Sequence, residues 1–235
     1  MTDDRRDTIR SSLAAVGDRV DAAASTSGRT GSDVTLVVVT KTWPVSDVRI
    51  LYDLGARDFG ENRHQEAADR AASLEDLDAR WHFIGQVQSN KAHRIAEYAA
   101  AVHSLDSIRV ARRLDAGARQ AHRHVDCFIQ VSLDPADASA ARGGASPDAV
   151  REIAATIAAC GTLRLAGVMG VAPVGEDPSA AYGRLTAASR ELVLRHPAAT
   201  AVSAGMSNDF EAAIRAGATH VRVGSAILGR RPSLR

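Results

Sequence analysis

Runs of strand-forming residues alternate with helical patterns eight times along this chain of 235 residues, and nothing else in it limits the fold as strongly. The strand-like runs lie near 34–39, 56–59, 81–84, 100–105, 125–133, 163–169, 199–203 and 220–223. Between them the residue spacing predicts helices over 46–54, 63–74, 89–98, 107–121, 146–159, 178–195 and 208–216. Ser89, Ser107 and Asp177-Pro178 read as helix starts, and Gly55, Gly161 and Gly217 as helix stops. Eight such units in little more than 200 residues predict a single α/β domain, a (β/α)8 barrel of the TIM type. An open doubly wound sheet is the competing arrangement, but no GxGxxG turn follows the first strand. Ahead of the barrel, Ile9, Leu13, Val16 and Val20 form one apolar stripe on a helix over 4–24, and 25–32 is a Ser/Thr/Gly linker. The segment 134–144, with Gly143-Gly144, reads as a mobile loop after the fifth strand.

Composition removes several function classes. The net charge of +1 gives no basic excess to hold a nucleic-acid backbone. No window approaches the ~18 apolar residues of a membrane span, and the mixed-charge start Met1-Thr2-Asp3-Asp4 is not a secretory signal. Cys127 and Cys160 form no CxxC motif, so a reduced cytoplasmic setting is expected.

In a barrel, chemistry gathers at the C-terminal strand ends. Of 29 basic residues only Lys41 and Lys91 are lysine, and Lys41 directly follows the first strand. A position that keeps lysine in an arginine-rich chain needs what guanidinium cannot do, namely lose a proton and attack a carbonyl. An ordinary strand-end charge is the plain alternative. The seventh strand ends in Ser203-Ala204-Gly205-Met206-Ser207-Asn208 and the eighth in Arg222-Val223-Gly224-Ser225. Loops at these two places are the usual phosphate site of the fold, and small residues let backbone N–H groups approach an anion. Together with Lys41 they describe a phosphate-bearing aldehyde held as a Schiff base, with pyridoxal 5'-phosphate as the candidate. Lys91, at a helix start, is a surface or anion-binding residue. His122-Arg123-His124 reads as an exposed helix end with no third metal ligand.

The segments VVVTKTWP, FGENRHQE, WHFIGQVQSNK, GVMGVAP, SAGMSNDFEAAI and VRVGSAILG stand in one order over about 35–229 and resemble the YggS/PROSC family of pyridoxal phosphate homeostasis proteins. The resemblance implies a fold-type III barrel like the N-terminal domain of alanine racemases, usually monomeric, with the Schiff base at Lys41. It implies Asn62 near the cofactor ring, Ser207, Gly224 and Ser225 at the phosphate, and Arg222 facing the pyridine nitrogen. His82 on the third strand, Met169 at the end of the sixth and Ser203 at the end of the seventh are counted as cofactor-binding positions with them. The chain departs from the family pattern at Arg63-His64, at Val168-Met169-Gly170-Val171 and at Ala204.

An arginine beside the pyridine nitrogen makes the ring a poorer electron sink. The chain reaches Arg235 without the second, β-rich domain of alanine racemases, and Tyr52, Tyr98 and Tyr182 all fall on predicted helices. The expectation is therefore a non-enzymatic carrier that holds or delivers pyridoxal phosphate, with pyridoxal-phosphate-dependent apo-enzymes as recipients. The alternatives are a small racemase-like enzyme of fold type III and a cofactor-free Schiff-base aldolase.

Overall fold

The computed structural model describes residues 2–134 and 143–229. Eight parallel strands close into a barrel in chain order. They are β1 (Thr35–Val39), β2 (Asp58–Glu61), β3 (Arg80–Phe83), β4 (Ala101–Leu105), β5 (Val125–Gln130), β6 (Leu163–Met169), β7 (Ala201–Ser203) and β8 (His220–Val223). The ring is sealed by β1 against β8, with Thr35 opposite His220 and Val38 opposite Val223. The predicted barrel is thus observed and the open sheet is excluded.

The helices are α1 (Thr2–Ser25), α2 (Val45–Asp53), α3 (His64–Ser73), α4 (Ala92–Ile95), α5 (Ile108–Gln120), α6 (Pro147–Ala158), α7 (Pro178–Arg195), α8 (Phe210–Arg215) and α9 (Ser225–Leu228). Helix starts follow the chemistry of their caps. The Ser107 hydroxyl accepts from the Val110 N–H, Ser146 from Ala149, and Asp177 from Ser179 ahead of Pro178. None of the helices is long and apolar enough to cross a membrane, among the described residues.

Several boundaries differ from the sequence reading, three of them for a visible reason. The second strand runs two residues later, because its register with β3 pairs Asp58 with Arg80 and Glu61 with Phe83. The helix expected over 89–98 narrows to α4, where Glu97 and Tyr98 bond to carbonyls three residues back, so the α pattern gives way to a tighter turn. The fifth strand stops at Gln130, beyond which Val131 keeps only an isolated bridge to Ala145. Most of the predicted loop 134–144 lies outside the described residues.

Side chains alternate along each strand as the pleat requires. Val221 and Val223 of β8, and Trp81 and Phe83 of β3, join the large apolar layer shared with the helices. His82, His103, His220 and Phe128 meet one another instead, with ring centroids 4.3 to 6.4 Å apart. A small apolar cluster of Ala101, Phe128 and Met169 fills the rest of this region. The interior of the barrel is therefore markedly polar.

Helix α1 covers the seam where the ring closes, packing on α2, α8 and α9. Its stripe of Ile9, Val16 and Val20 is buried as the spacing predicts. Arg5 reaches Asp47 of α2 at 2.6 Å, and Arg19 reaches Glu211 of α8 at 2.6 Å.

Candidate functional site

The first strand delivers Lys41 to the C-terminal mouth through a tight turn. The Trp43 N–H donates to the Thr40 carbonyl, and Thr42 within the turn has φ +70°. A β-branched residue is costly in that left-handed region, so the turn is held by its surroundings. Thr40 is fully buried, and its hydroxyl donates to Glu61 Oε1 at 2.6 Å. Burial pushes the Glu61 carboxyl up, while the Thr40 hydrogen bond and the charges of Arg70 and Lys41 pull it down.

Opposite Lys41, the loop between β7 and α8 folds back on itself. Gly205 has φ +89°, and a Cβ there would lie 2.7 Å from both Ala213 Cβ and Phe210 Cα, so only glycine fits. Asp209 closes the loop, accepting from the Met206 N–H at 2.6 Å and from the Tyr182 hydroxyl at 2.8 Å. Burial then pushes the Tyr182 phenol up, and Asp209 adds to the shift. Ser207 accepts from the N–H groups of Gly224 and Ala226, each at 3.3 Å, which fastens this loop to the end of β8.

These segments enclose a cavity of about 550 Å³, within the range of small-ligand sites. Lys41, Ser207, Arg222, Gly224 and Ser225 all line it. Arg222 is 4% exposed and donates to Ser203 Oγ at 2.6 Å and to the Gly170 carbonyl at 3.0 Å. Burial lowers its guanidinium to about 10, against the raising influence of Tyr182 and Asp209, and it stays charged at neutral pH.

The other predicted positions lie elsewhere. Asn62 opens onto a neighbouring cavity of about 470 Å³ that also holds His64 and Lys91. Ser203 sits beneath Arg222 rather than on the cavity wall. Met169 packs in the barrel interior with Ala101 and Phe128. His82 is deeper still, with both ring nitrogens engaged by Asp58 and His103. Sequence reasoning missed Trp43, Asp209 and the loop after β6, including Pro173 and Glu176, all of which line the cavity. Asp209 carried a usable signal, since an aspartate three residues after Met206 can accept that residue's N–H and close a turn. Among the described residues no group of three or more metal-ligating side chains is present.

An amine, a buried guanidinium, two hydroxyls and close backbone around one cavity suit an anionic carbonyl compound. Known proteins resemble the chain along most of its length. The family model described as "Alanine racemase, N-terminal domain" matches residues 12–232. The pyridoxal phosphate homeostasis protein of Mycobacterium leprae is 37% identical over 96% of this chain and 94% of its own. That of Corynebacterium glutamicum is 42% identical over 91% of this chain and 98% of its own. The structure of PipY from Synechococcus elongatus with PLP bound superposes with a TM-score of 0.78 at 33% identity, covering 91% of this chain and all of that one. With a match along nearly its whole length, the chain belongs to the alanine racemase N-terminal domain family, among its pyridoxal phosphate homeostasis proteins.

Proposed function

We propose that the cavity binds pyridoxal 5'-phosphate and that the protein serves in intracellular homeostasis and delivery of that cofactor. The observation that carries this reading is the convergence of Lys41, Arg222 and the Ser207–Gly224–Ser225 cradle on one cavity. The residues present fit the group. A Cβ at Gly224 would meet the Val39 carbonyl oxygen at 3.0 Å, a tight contact, and as a glycine on the cavity wall it offers bare backbone that a phosphate can approach closely. Ser207 and Ser225 add hydroxyl donors beside it. When bound, the cofactor would supply an aldehyde as the electrophile, and Lys41 would hold it through its Nζ amine.

Arg222 stays protonated, and held beside the pyridine nitrogen it would disfavour a proton on that nitrogen and weaken carbanion chemistry. Tyr182 donates its hydroxyl to Asp209, and no tyrosine lines the cavity among the described residues. The missing tyrosine supports a carrier over a two-base racemase, whereas the arginine alone does not separate the two. The carrier works as a monomer in the reduced cytoplasm and passes pyridoxal phosphate to pyridoxal-phosphate-dependent apo-enzymes. The test is to load the purified protein with pyridoxal phosphate, reduce with borohydride and map the peptides by mass. The label is expected on Lys41; a label on Lys91 overturns the site. Steady racemisation of an amino acid at about 1 s⁻¹ or faster overturns the carrier role.

A further inference from the structure

An unbroken row of hydrogen bonds crosses the barrel interior from the cavity to the opposite mouth. Arg222 Nη1 donates to Ser203 Oγ at 2.6 Å, and Ser203 Oγ lies 2.7 Å from His103 Nδ1. His103 Nε2 lies 2.9 Å from His82 Nδ1, and His82 Nε2 lies 2.8 Å from Asp58 Oδ1. Arg80 caps the far end, donating to both Asp58 oxygens at 2.8 and 2.6 Å. Asp58 is 8% exposed, His82 5%, Arg222 4%, and His103 and Ser203 are fully buried, so water does not complete these bonds.

The two ends fix every proton between them. Guanidinium only donates, so Ser203 accepts from Arg222 and has one proton left for His103. The carboxylate of Asp58 only accepts, so His82 carries a proton on Nε2. With one proton per ring, His82 presents a bare Nδ1, His103 donates to it from Nε2, and the bare Nδ1 of His103 receives the Ser203 proton. The tautomer of a histidine is set by the bond that its other nitrogen makes, and here each ring sets the next. Reversing His103 would point two donors at Ser203 and leave its hydroxyl proton without an acceptor in a closed site. His103 is fully buried, with Phe128 stacked on it at 4.3 Å and His220 6.1 Å away, so no water can solvate a second proton on that ring. Burial accordingly holds His103 well below its ordinary value, and the nearby charge of Arg222 adds to the effect.

We propose that Asp58, acting through His82, His103 and Ser203, fixes the donor direction of Arg222 and so keeps its remaining N–H groups aimed into the cavity. All four are positioning residues; none of them touches the cavity contents. The consequence for the cofactor rests on the pyridoxal phosphate reading above, while the proton pattern stands without it.

The experiment has two arms. The first records long-range proton–nitrogen correlations of the histidine rings in the cofactor-free protein between about pH 6 and 8. His82 and His103 are expected as neutral rings protonated on Nε2, and Asp58→Leu is expected to mix their tautomers. A His103 ring protonated on Nδ1 in the unaltered protein overturns the proposal. The second arm titrates pyridoxal phosphate and follows the visible band. Ser203→Ala is expected to weaken binding about 5- to 30-fold and Asp58→Asn about 2- to 10-fold, each with a displaced band. Ser203→Thr, which keeps the hydroxyl, restores the band. Arg80→Gln removes the surface ion pair but leaves the acceptor of His82 in place, and the band stays where it was. Unchanged affinity and spectrum in both Ser203→Ala and Asp58→Asn, with the unaltered protein forming its band normally, overturn the proposal. A missing band in the unaltered protein would instead overturn the cofactor reading, and the tautomer pattern would still decide the relay.

Discussion

The Thr40 hydroxyl donates to Glu61 Oε1 at 2.6 Å, tying the residue before Lys41 to the end of the adjacent strand. Glu61 is 1% exposed, and its other support is Arg70, whose Nε lies 3.1 Å from the same oxygen. Thr40→Val keeps the shape of the side chain and removes the donor. The buried carboxylate then loses a partner, which costs about 1–3 kcal/mol. A lower urea midpoint with an unchanged slope is the expected result, with slower borohydride labelling of Lys41. An unchanged midpoint would show that the bond does not hold this turn.

Lys41→Arg keeps the positive charge but cannot condense with an aldehyde. The variant is expected to show no visible band and no borohydride label, and to bind pyridoxal phosphate on the order of 10- to 100-fold more weakly, as the covalent contribution is lost. Absorbance titration and peptide mapping read both effects. A persistent label would mean that a different amine captures the cofactor.

Gly205→Ala places a methyl group 2.7 Å from Ala213 Cβ and Phe210 Cα, in a backbone conformation with φ +89°. Both the clash and the strain oppose it, for a loss of about 2 kcal/mol or more. The loop that carries Ser207 and Asp209 shifts with it. Thermal unfolding is expected several degrees lower, with weaker binding of pyridoxal phosphate; a variant as stable as the parent would contradict the packing described.

Acid acts on this barrel through its interior. Burial lowers His220 to about 4 from 6.5. The unfolded chain therefore takes up a proton that the folded chain refuses, and stability falls as pH drops from about 6.5 to about 4, by roughly 3 kcal/mol from this group. For Asp58, burial pushes the carboxyl up, but the hydrogen bonds from His82 and Arg80 outweigh it and hold the group at about 2, below 3.8. Its contribution is complete above about 3.8 and is lost as pH falls toward 2, a later and smaller limb of about 2 kcal/mol. Urea midpoints measured from pH 7 downward should show the first loss before the second, and His220→Asn should make only the first shallower, since the lowered His103 contributes to it as well. Parallel curves for His220→Asn and the parent would refute the assignment.

Much of the architecture was legible because buried parallel strands are short apolar runs and their crossover helices show a clear period. The strand β2 was displaced in the reading because its partners, not its own Arg57 and Asp58, set its register. The convergence of Lys41, Ser207, Arg222, Gly224 and Ser225 on one cavity was legible because strand ends of a barrel share one mouth. Depth was not. His82 and Met169 have the right parity to face inward, but parity does not say how far below the mouth a residue sits, which depends on the stagger of the strands. Asp58 and His103 were missed for the same reason, since each is unremarked alone and gains meaning only as a neighbour of His82.

The seam between β1 and β8 has a consequence in time. The amine that meets the ligand lies just after the first strand made, while Arg222, Gly224 and Ser225 arrive with the last. Pairing Thr35 with His220 is a contact across most of the chain, which forms late because loop-closure entropy must be overcome first. A growing polypeptide therefore displays its lysine long before it has anything to hold a phosphate. Occupancy becomes possible only on a finished ring, and a bound ligand reports that the ring is complete.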